Sequence, residues 1–375
     1  MHSASKREPI RLRRMPFLTL AVSLILFVAV DVVRSDVVFK VGVTTREFVP
    51  AEPFDWRGAK THALHTMIWY PAVAYAPEAP QWIGPPLIPF FSAGNAAPDA
   101  APAASSLHPL ILLSHGNGGA SSGLAWLGTA LAARGFIVAA VDHPGNNSAE
   151  DTTVDGFSLF WLRAVDLSAI TDALLADKTF GHLINPTQIG AAGHSYGGYT
   201  VIAAAGGVAD PSQLEVFCRS PAADELCRAP GISDMRNRRL ERLSSDPVFR
   251  QRYGEAGKSY RDERIRAVFA MAPGPAPVLT QDSLRKISIP VAIIMGSADE
   301  IAPPSSGGEA LAKSIPNATL KLFQNAGHFV FLDACTAVGR FLIRVPCGDP
   351  AGTDRKKVHA ETITSALEFF TANLR

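Results

Sequence analysis

The sequence predicts an α/β fold, a mostly parallel central sheet flanked by helices, with an inserted cap. Three observations point to it. From Pro109 onward, short and mostly apolar segments alternate with helical ones, the pattern of βαβ units in a sheet buried on both faces. A chain of 375 residues, 47% hydrophobic and 18% charged, supplies one large core. One interval between consecutive strands, residues 206 to about 264, far exceeds the few residues of an ordinary connection.

Taken in order, the N-terminus carries Lys6, Arg7, Arg11, Arg13 and Arg14 ahead of the apolar run 17–30. Charge followed by hydrophobe is the order of an export signal, and the run is short against the roughly 20 residues of a bilayer-spanning helix. Residues 1–35 are therefore read as a signal peptide cut before Asp36, and residues 36–375 as one domain. Left uncleaved, the same leader would anchor the chain in a membrane through residues 16–33. The chain is expected to be exported, to the periplasm or outside the cell. The leader holds six Lys/Arg and two Asp/Glu, and without it the formal charge changes from +1 to −3. A nearly neutral protein excludes nucleic acid as a partner, since that role needs a concentrated basic face. The Arg-rich stretch 228–266 is interleaved with acids and reads as a solvated, mixed-charge surface.

Residues 37–44 and 63–70 read as strands forming an antiparallel start to the sheet. Residues 71–106, dense in Ala and Pro and without sustained period, read as a long surface connection. Strands follow at 110–113, 136–141, 188–192, 267–271, 291–295 and 319–323. Helices fall at 123–134, 162–176, 198–205, 307–314 and 358–373. The cap, about 206–264, should carry a polar helix near 235–243 and shape a substrate entrance.

Four cysteines fall into two close pairs with no C-x-x-C spacing, so no metal site is expected. Export favours the disulfides Cys218–Cys227 and Cys335–Cys347. Three pairings are open to four cysteines, and buried free thiols are the alternative.

Gly193-His194-Ser195-Tyr196-Gly197 follows the apolar strand ending at Ala192 and precedes a helical run. That context turns a G-x-S-x-G match into a nucleophile elbow, where glycines allow a sharp strand-to-helix turn that lifts the Ser195 hydroxyl above the sheet. A serine hydroxyl attacks well only when an imidazole takes its proton, and the imidazole needs an acid to set its tautomer. The partners should follow in the order acid, then His. Asp299 comes just after strand 291–295 and His328 just after strand 319–323, both at carboxyl ends where such sheets place their sites. Glu300 is the rival acid; His328 is the only histidine between the acid and the last helix, which should carry His359. His115-Gly116-Asn117-Gly118-Gly119 follows strand 110–113 and resembles the loop supplying one amide of an oxyanion hole, the other coming from the residue after the nucleophile. The main-chain N–H groups of Asn117 and Tyr196 are thus the expected donors. His115 and His194 read as supports of these turns, and His143 as a rim or structural residue.

The elbow, the order of the triad and the alternating pattern together specify the α/β-hydrolase fold. A closer resemblance rests on Trp69-Tyr70-Pro71-Ala72, Leu113-Ser114-His115-Gly116, the run from Gly135 through Asp142-His143-Pro144-Gly145, Gly193 through Gly198, and Arg264-Ile265-Arg266-Ala267. This ordered set resembles bacterial dienelactone-hydrolase-like proteins, which in turn look like platelet-activating factor acetylhydrolases. The resemblance implies hydrolysis of small or short-acyl esters, with a small-molecule ester as substrate and neither metal nor cofactor. True dienelactone hydrolases use a cysteine nucleophile, and this chain has Ser195, so lactone specificity does not carry over. The same triad also serves amidases and peptidases, which keeps ester against amide open at this point, and a non-catalytic binding protein on this fold would lack a triad member.

Overall fold

Aliphatic and β-branched runs separated by Gly, Pro and charge build eleven strands among the described residues. They are β1 (Lys40–Phe48), β2 (Leu64–Ala72), β3 (Ala79–Ile83), β4 (Phe91–Pro98), β5 (His108–Ser114), β6 (Ile137–Val141), β7 (Ile184–His194), β8 (Ile265–Met271), β9 (Val291–Gly296), β10 (Ala318–Phe323) and β11 (Ala334–Cys335). The structure is a computed structural model and describes residues 2, 38–104, 106–228 and 230–375. The expected leader and anchor lie outside the described residues, apart from residue 2.

The strand order is β10-β9-β8-β7-β5-β6-β2-β1-β4-β11, with β3 beside β4. β6, β5, β7, β8, β9 and β10 run parallel. β2 pairs antiparallel with both β6 and β1, as expected of the first two strands. Every residue of β5 is buried, and its side chains alternate between two cores. Leu110 and Leu112 pack into one cluster with the helices Arg163–Ala176 and Tyr196–Ala204. Ile111 and Leu113 pack into the other with Ala125–Ala132 and Arg355–Leu374. That alternation is the two-residue period of a strand covered on both faces.

Residues 71–106 are not simply a surface connection. They contain β3 and β4, which form an antiparallel pair, and β4 also meets β1 and β11. Ala93, Ala96 and Ala97 are buried there. Alanine and proline carry little strand propensity, and this pairing is decided by distant partners such as Thr129, whose hydroxyl accepts from the Gln81 amide at 2.7 Å.

The interval 206–264 folds into the helices Pro211–Arg219, Glu225–Arg228, Pro230–Ser245 and Pro247–Tyr253. The polar helix expected at 235–243 is longer than its pattern suggested. Asp210 and Asp246 cap two of these helices by accepting backbone amides, each with a proline in the first turn. The stretch 228–266 is not a purely solvated surface. Arg239 is buried, Arg242 donates to Asp155 at 2.5 Å, and Arg252 reaches both Asp155 and Asp55. Arg242 and Arg252 look inward because the carboxylates they pair with, Asp55 and Asp155, lie far away in sequence, while Arg239 pairs with Glu215 inside the same interval.

No helix among the described residues is long and apolar enough to cross a membrane. The disulfides Cys218–Cys227 and Cys335–Cys347 are formed, as is usual of proteins in oxidising compartments. Closing a loop of twelve residues' separation is worth about 3 kcal/mol in the chain-entropy model. Replacing Cys335 and Cys347 by Ser should therefore lower the chemical-denaturation free energy by about that amount. A denaturation midpoint equal to the parent's would contradict it.

Candidate active site

Ser195 sits between β7 and the helix Tyr196–Ala204 with φ 57° and ψ −119°. A non-glycine residue in that region is strained and persists only where its surroundings hold it. The Ser195 amide donates to the Met271 carbonyl at 3.0 Å, while its own carbonyl accepts from Tyr199 at 3.0 Å and Gly274 at 3.1 Å. A Cβ at Gly197 would lie 1.8 Å from the Ser114 carbonyl oxygen, and one at Gly193 would lie 2.3 Å from that of Gly197. The two glycines are required because backbone passes where a side chain would be.

Asp299 follows β9 and His328 follows β10, and their loops are tied together. Ala298 donates its amide to Ala326 at 2.9 Å, and Asn325 donates to the Ser297 hydroxyl at 2.9 Å. Asp299 is buried, and its Oδ1 accepts from the amides of Ile301 at 3.0 Å and Ala302 at 2.8 Å. Its Oδ2 lies 2.8 Å from His328 Nδ1, and His328 Nε2 lies 3.0 Å from Ser195 Oγ. Glu300, the rival acid, is exposed. A carboxylate at Nδ1 assigns the imidazole proton there and leaves Nε2 to accept from the serine.

Residues 110–340 match the model of the alpha/beta hydrolase family. The chain belongs to that family. A ferulic acid esterase from Streptomyces cinnamoneus is a solved structure similar to this α/β hydrolase, at 20% identity and a TM-score of 0.57, covering 90% of this chain and 91% of that one. At such identity the likeness is one of fold. No curated protein matches the sequence.

The Asn117 loop of this α/β hydrolase runs directly beside Ser195, since a Cβ on Gly116 would stand 3.3 Å from that of Ser195. Its shape is held from behind. Asn146 donates to Asn117 Oδ1 at 2.8 Å and accepts from the Gly118 amide at 3.0 Å. The main-chain amides of Asn117 and Tyr196 donate to no other described residue.

His194 Nε2 meets the His328 carbonyl at 3.0 Å, and burial holds its pKa well below the usual value, so it is a neutral donor supporting the loop of His328. His359, on the last helix, donates to the Val330 carbonyl at 2.8 Å and stacks on Trp126 with ring centroids 3.9 Å apart. Burial drops its pKa to about 4. His115 donates from Nδ1 to the Gly116 carbonyl at 2.7 Å. His143 is fully buried rather than on a rim. Its Nδ1 donates to Asp166 at 2.7 Å and its Nε2 accepts from the Ser114 hydroxyl at 2.9 Å.

Asp166 belongs to a buried charge cluster that the sequence barely marked. Arg57 donates to both its oxygens, at 2.8 and 2.7 Å. Arg163 donates to Asn146 at 3.1 Å and to the His115 carbonyl. Burial lowers the Arg163 pKa to about 9 and raises that of Asp166 to about 6, even with Arg57 beside it. Both remain charged at neutral pH. Only Asp142-His143-Pro144-Gly145 hinted at this cluster, because an arginine or aspartate inside an ordinary helix pattern does not announce burial.

Two predictions follow from this geometry. Asp299→Asn should cut kcat about 10³- to 10⁴-fold through loss of the correct tautomer, whereas Glu300→Gln should stay within about twofold, as changes at exposed side chains away from the chemistry usually do. Loss in the second variant alone would move the acid. Asp333, whose Oδ1 accepts from the Trp126 amide at 2.9 Å, is pushed up to about 8 by burial. The folded state then keeps a proton that the unfolded chain releases near pH 4. Stability should fall as pH rises between those values, by up to about 1.4 kcal/mol per unit. Melting temperatures of the parent should decline across this window, and Asp333→Asn should flatten the slope. Equal slopes would mean that Asp333 ionises normally in the folded protein.

Proposed function

We propose that this α/β hydrolase cleaves carboxylic esters of small or short acyl groups through an acyl-enzyme on Ser195. The observation that carries the reading is the unbroken hydrogen-bond chain from Asp299 through His328 to Ser195. His328 takes the serine proton as Oγ attacks the ester carbonyl, and Asp299 stabilises the imidazolium that forms. The tetrahedral oxyanion accepts from the Asn117 and Tyr196 amides, two fixed dipoles that need no reorganisation as charge develops. His328 then protonates the leaving alcohol, and water activated by the same imidazole hydrolyses the acyl-enzyme.

Ester cleavage is favoured over amide cleavage by the sequence resemblance to dienelactone-hydrolase-like and platelet-activating factor acetylhydrolase proteins. The fold neighbour, described as a ferulic acid esterase, agrees with it. Export of the chain through its N-terminal leader is consistent with the two disulfides, and the helices of 206–264 form the cap over the substrate entrance. A fluorophosphonate probe should label Ser195 stoichiometrically, located by peptide mass spectrometry. Ser195→Ala should fold normally and lose at least about 10⁴-fold in kcat toward para-nitrophenyl acetate, since removal of a triad nucleophile leaves only residual catalysis. A folded variant with near-parent turnover would refute the mechanism. Matched ester and amide substrates should differ in favour of the ester.

A further inference from the structure

Beside the elbow lies a narrow pocket of about 30 Å³, room for about two water molecules or one small polar group. It touches the nucleophile's neighbours on two sides. Tyr196 follows Ser195 directly, and Pro275 follows Gly274, whose amide donates to the Ser195 carbonyl at 3.1 Å. The rings of Phe157 and Phe160 line the same wall, with centroids 6.2 and 5.6 Å from that of Tyr196. The insertion 206–264 contributes Glu215, Arg236 and Arg239 to the lining.

The charges there do not balance. Glu215 accepts from Arg239 Nη2 at 2.5 Å and from Arg236 Nε at 3.1 Å, with a second contact to Arg236 Nη2. One carboxylate thus serves both guanidiniums of the lining, with the exposed Arg219 a further 3.9 Å contact, in a pocket otherwise lined by aromatic and aliphatic groups and the Cys218–Cys227 disulfide. Arg239 is 5% exposed, and its Nε is buried without a hydrogen-bond partner among the described residues. Its guanidinium lies over the Tyr253 ring, 5.8 Å from the centroid. A buried guanidinium short of acceptors is costly, and an incoming anion removes that cost.

We propose that this cap pocket binds a carboxylate carried by the substrate close to its scissile ester, with Arg239 and Arg236 as the recognising pair. The proposal rests on the reading of Ser195 as nucleophile and narrows it to esters bearing a second, ionised carboxyl group. A bidentate or doubly donated carboxylate gains charge-assisted hydrogen bonds that a neutral carboxamide of the same shape cannot match.

The test compares kcat/KM of the disulfide-intact enzyme for two matched pairs. Monomethyl adipate against methyl adipamate places the charge on the acyl side, and para-acetoxybenzoate against para-acetoxybenzamide places it on the alcohol side. In one pair the carboxylate should be preferred about tenfold or more. That ratio should fall toward one in Arg239→Gln and rise in Glu215→Gln, which frees both guanidiniums. If Arg239→Gln does not fold by circular dichroism, Glu215→Gln decides, with an unchanged or lower ratio counting against the proposal. Ratios within twofold in both pairs, a preference that survives Arg239→Gln, or turnover of para-nitrophenyl acetate with none of the four esters would overturn it while leaving ester hydrolysis intact. No turnover of any ester would instead remove the nucleophile assignment and the proposal together.

Discussion

The contact between Gly197 and the carbonyl of Ser114 is the constraint on which the site depends. A side chain at Gly197 would be only 1.8 Å from that oxygen, so the start of the helix after the nucleophile is pressed against the end of β5. This closeness puts Ser195 at the crest of a strained turn and brings the loop of Asn117 alongside it. Ser195 and the amides of Asn117 and Tyr196 are thereby positioned by one backbone contact rather than by separate flexible side chains. Hydrogen bonds from Gly274 and Tyr199 to the Ser195 carbonyl offset a strain of order 1–3 kcal/mol.

Behind the loop of Asn117, Arg57, Asp166 and Arg163 are buried with one positive charge in excess. Burying such a set is costly unless its hydrogen bonds are satisfied, and most are met by His143, Asn146 and the carbonyls of Pro144 and His115. The excess charge lies on the side from which the Asn117 loop is supported. Burial and the arginines of this cluster together keep His115 and His143 neutral, whereas at His194 burial is joined by His328 and Arg355.

The cap is attached by different physics. Arg242 and Arg252 reach Asp155 and Asp55, and at side-chain exposures of 38% and 27% for the two arginines such pairs are weakened by solvent and salt. Phe249, fully buried, supplies the apolar anchor. Orientation therefore comes from the ion pairs and holding strength from the aromatic core, which places Glu215, Arg236 and Arg239 in the pocket that Tyr196 also lines.

Much of this was legible in the chain. Ser195, Asp299 and His328 follow apolar strands, and glycines flank the serine, because a sharp strand-to-helix turn and short loops after strands are set by local residue types. The buried parallel strands were visible for the same reason, as continuous aliphatic runs. Strands β3 and β4 were not, since Ala and Pro carry no strand signal and the pairing depends on residues far along the chain. Arg239 lay in a stretch read as a solvated surface, and nothing in the sequence marked Arg57, Arg163 or Asp166; only the tertiary structure decided that all four are buried. A side chain's burial is set by what packs against it from elsewhere in the chain, and no local pattern encodes that. The sequence alone marked Ser195, Asp299 and His328 and their order along the chain; folding decided that their side chains meet and which charges surround them.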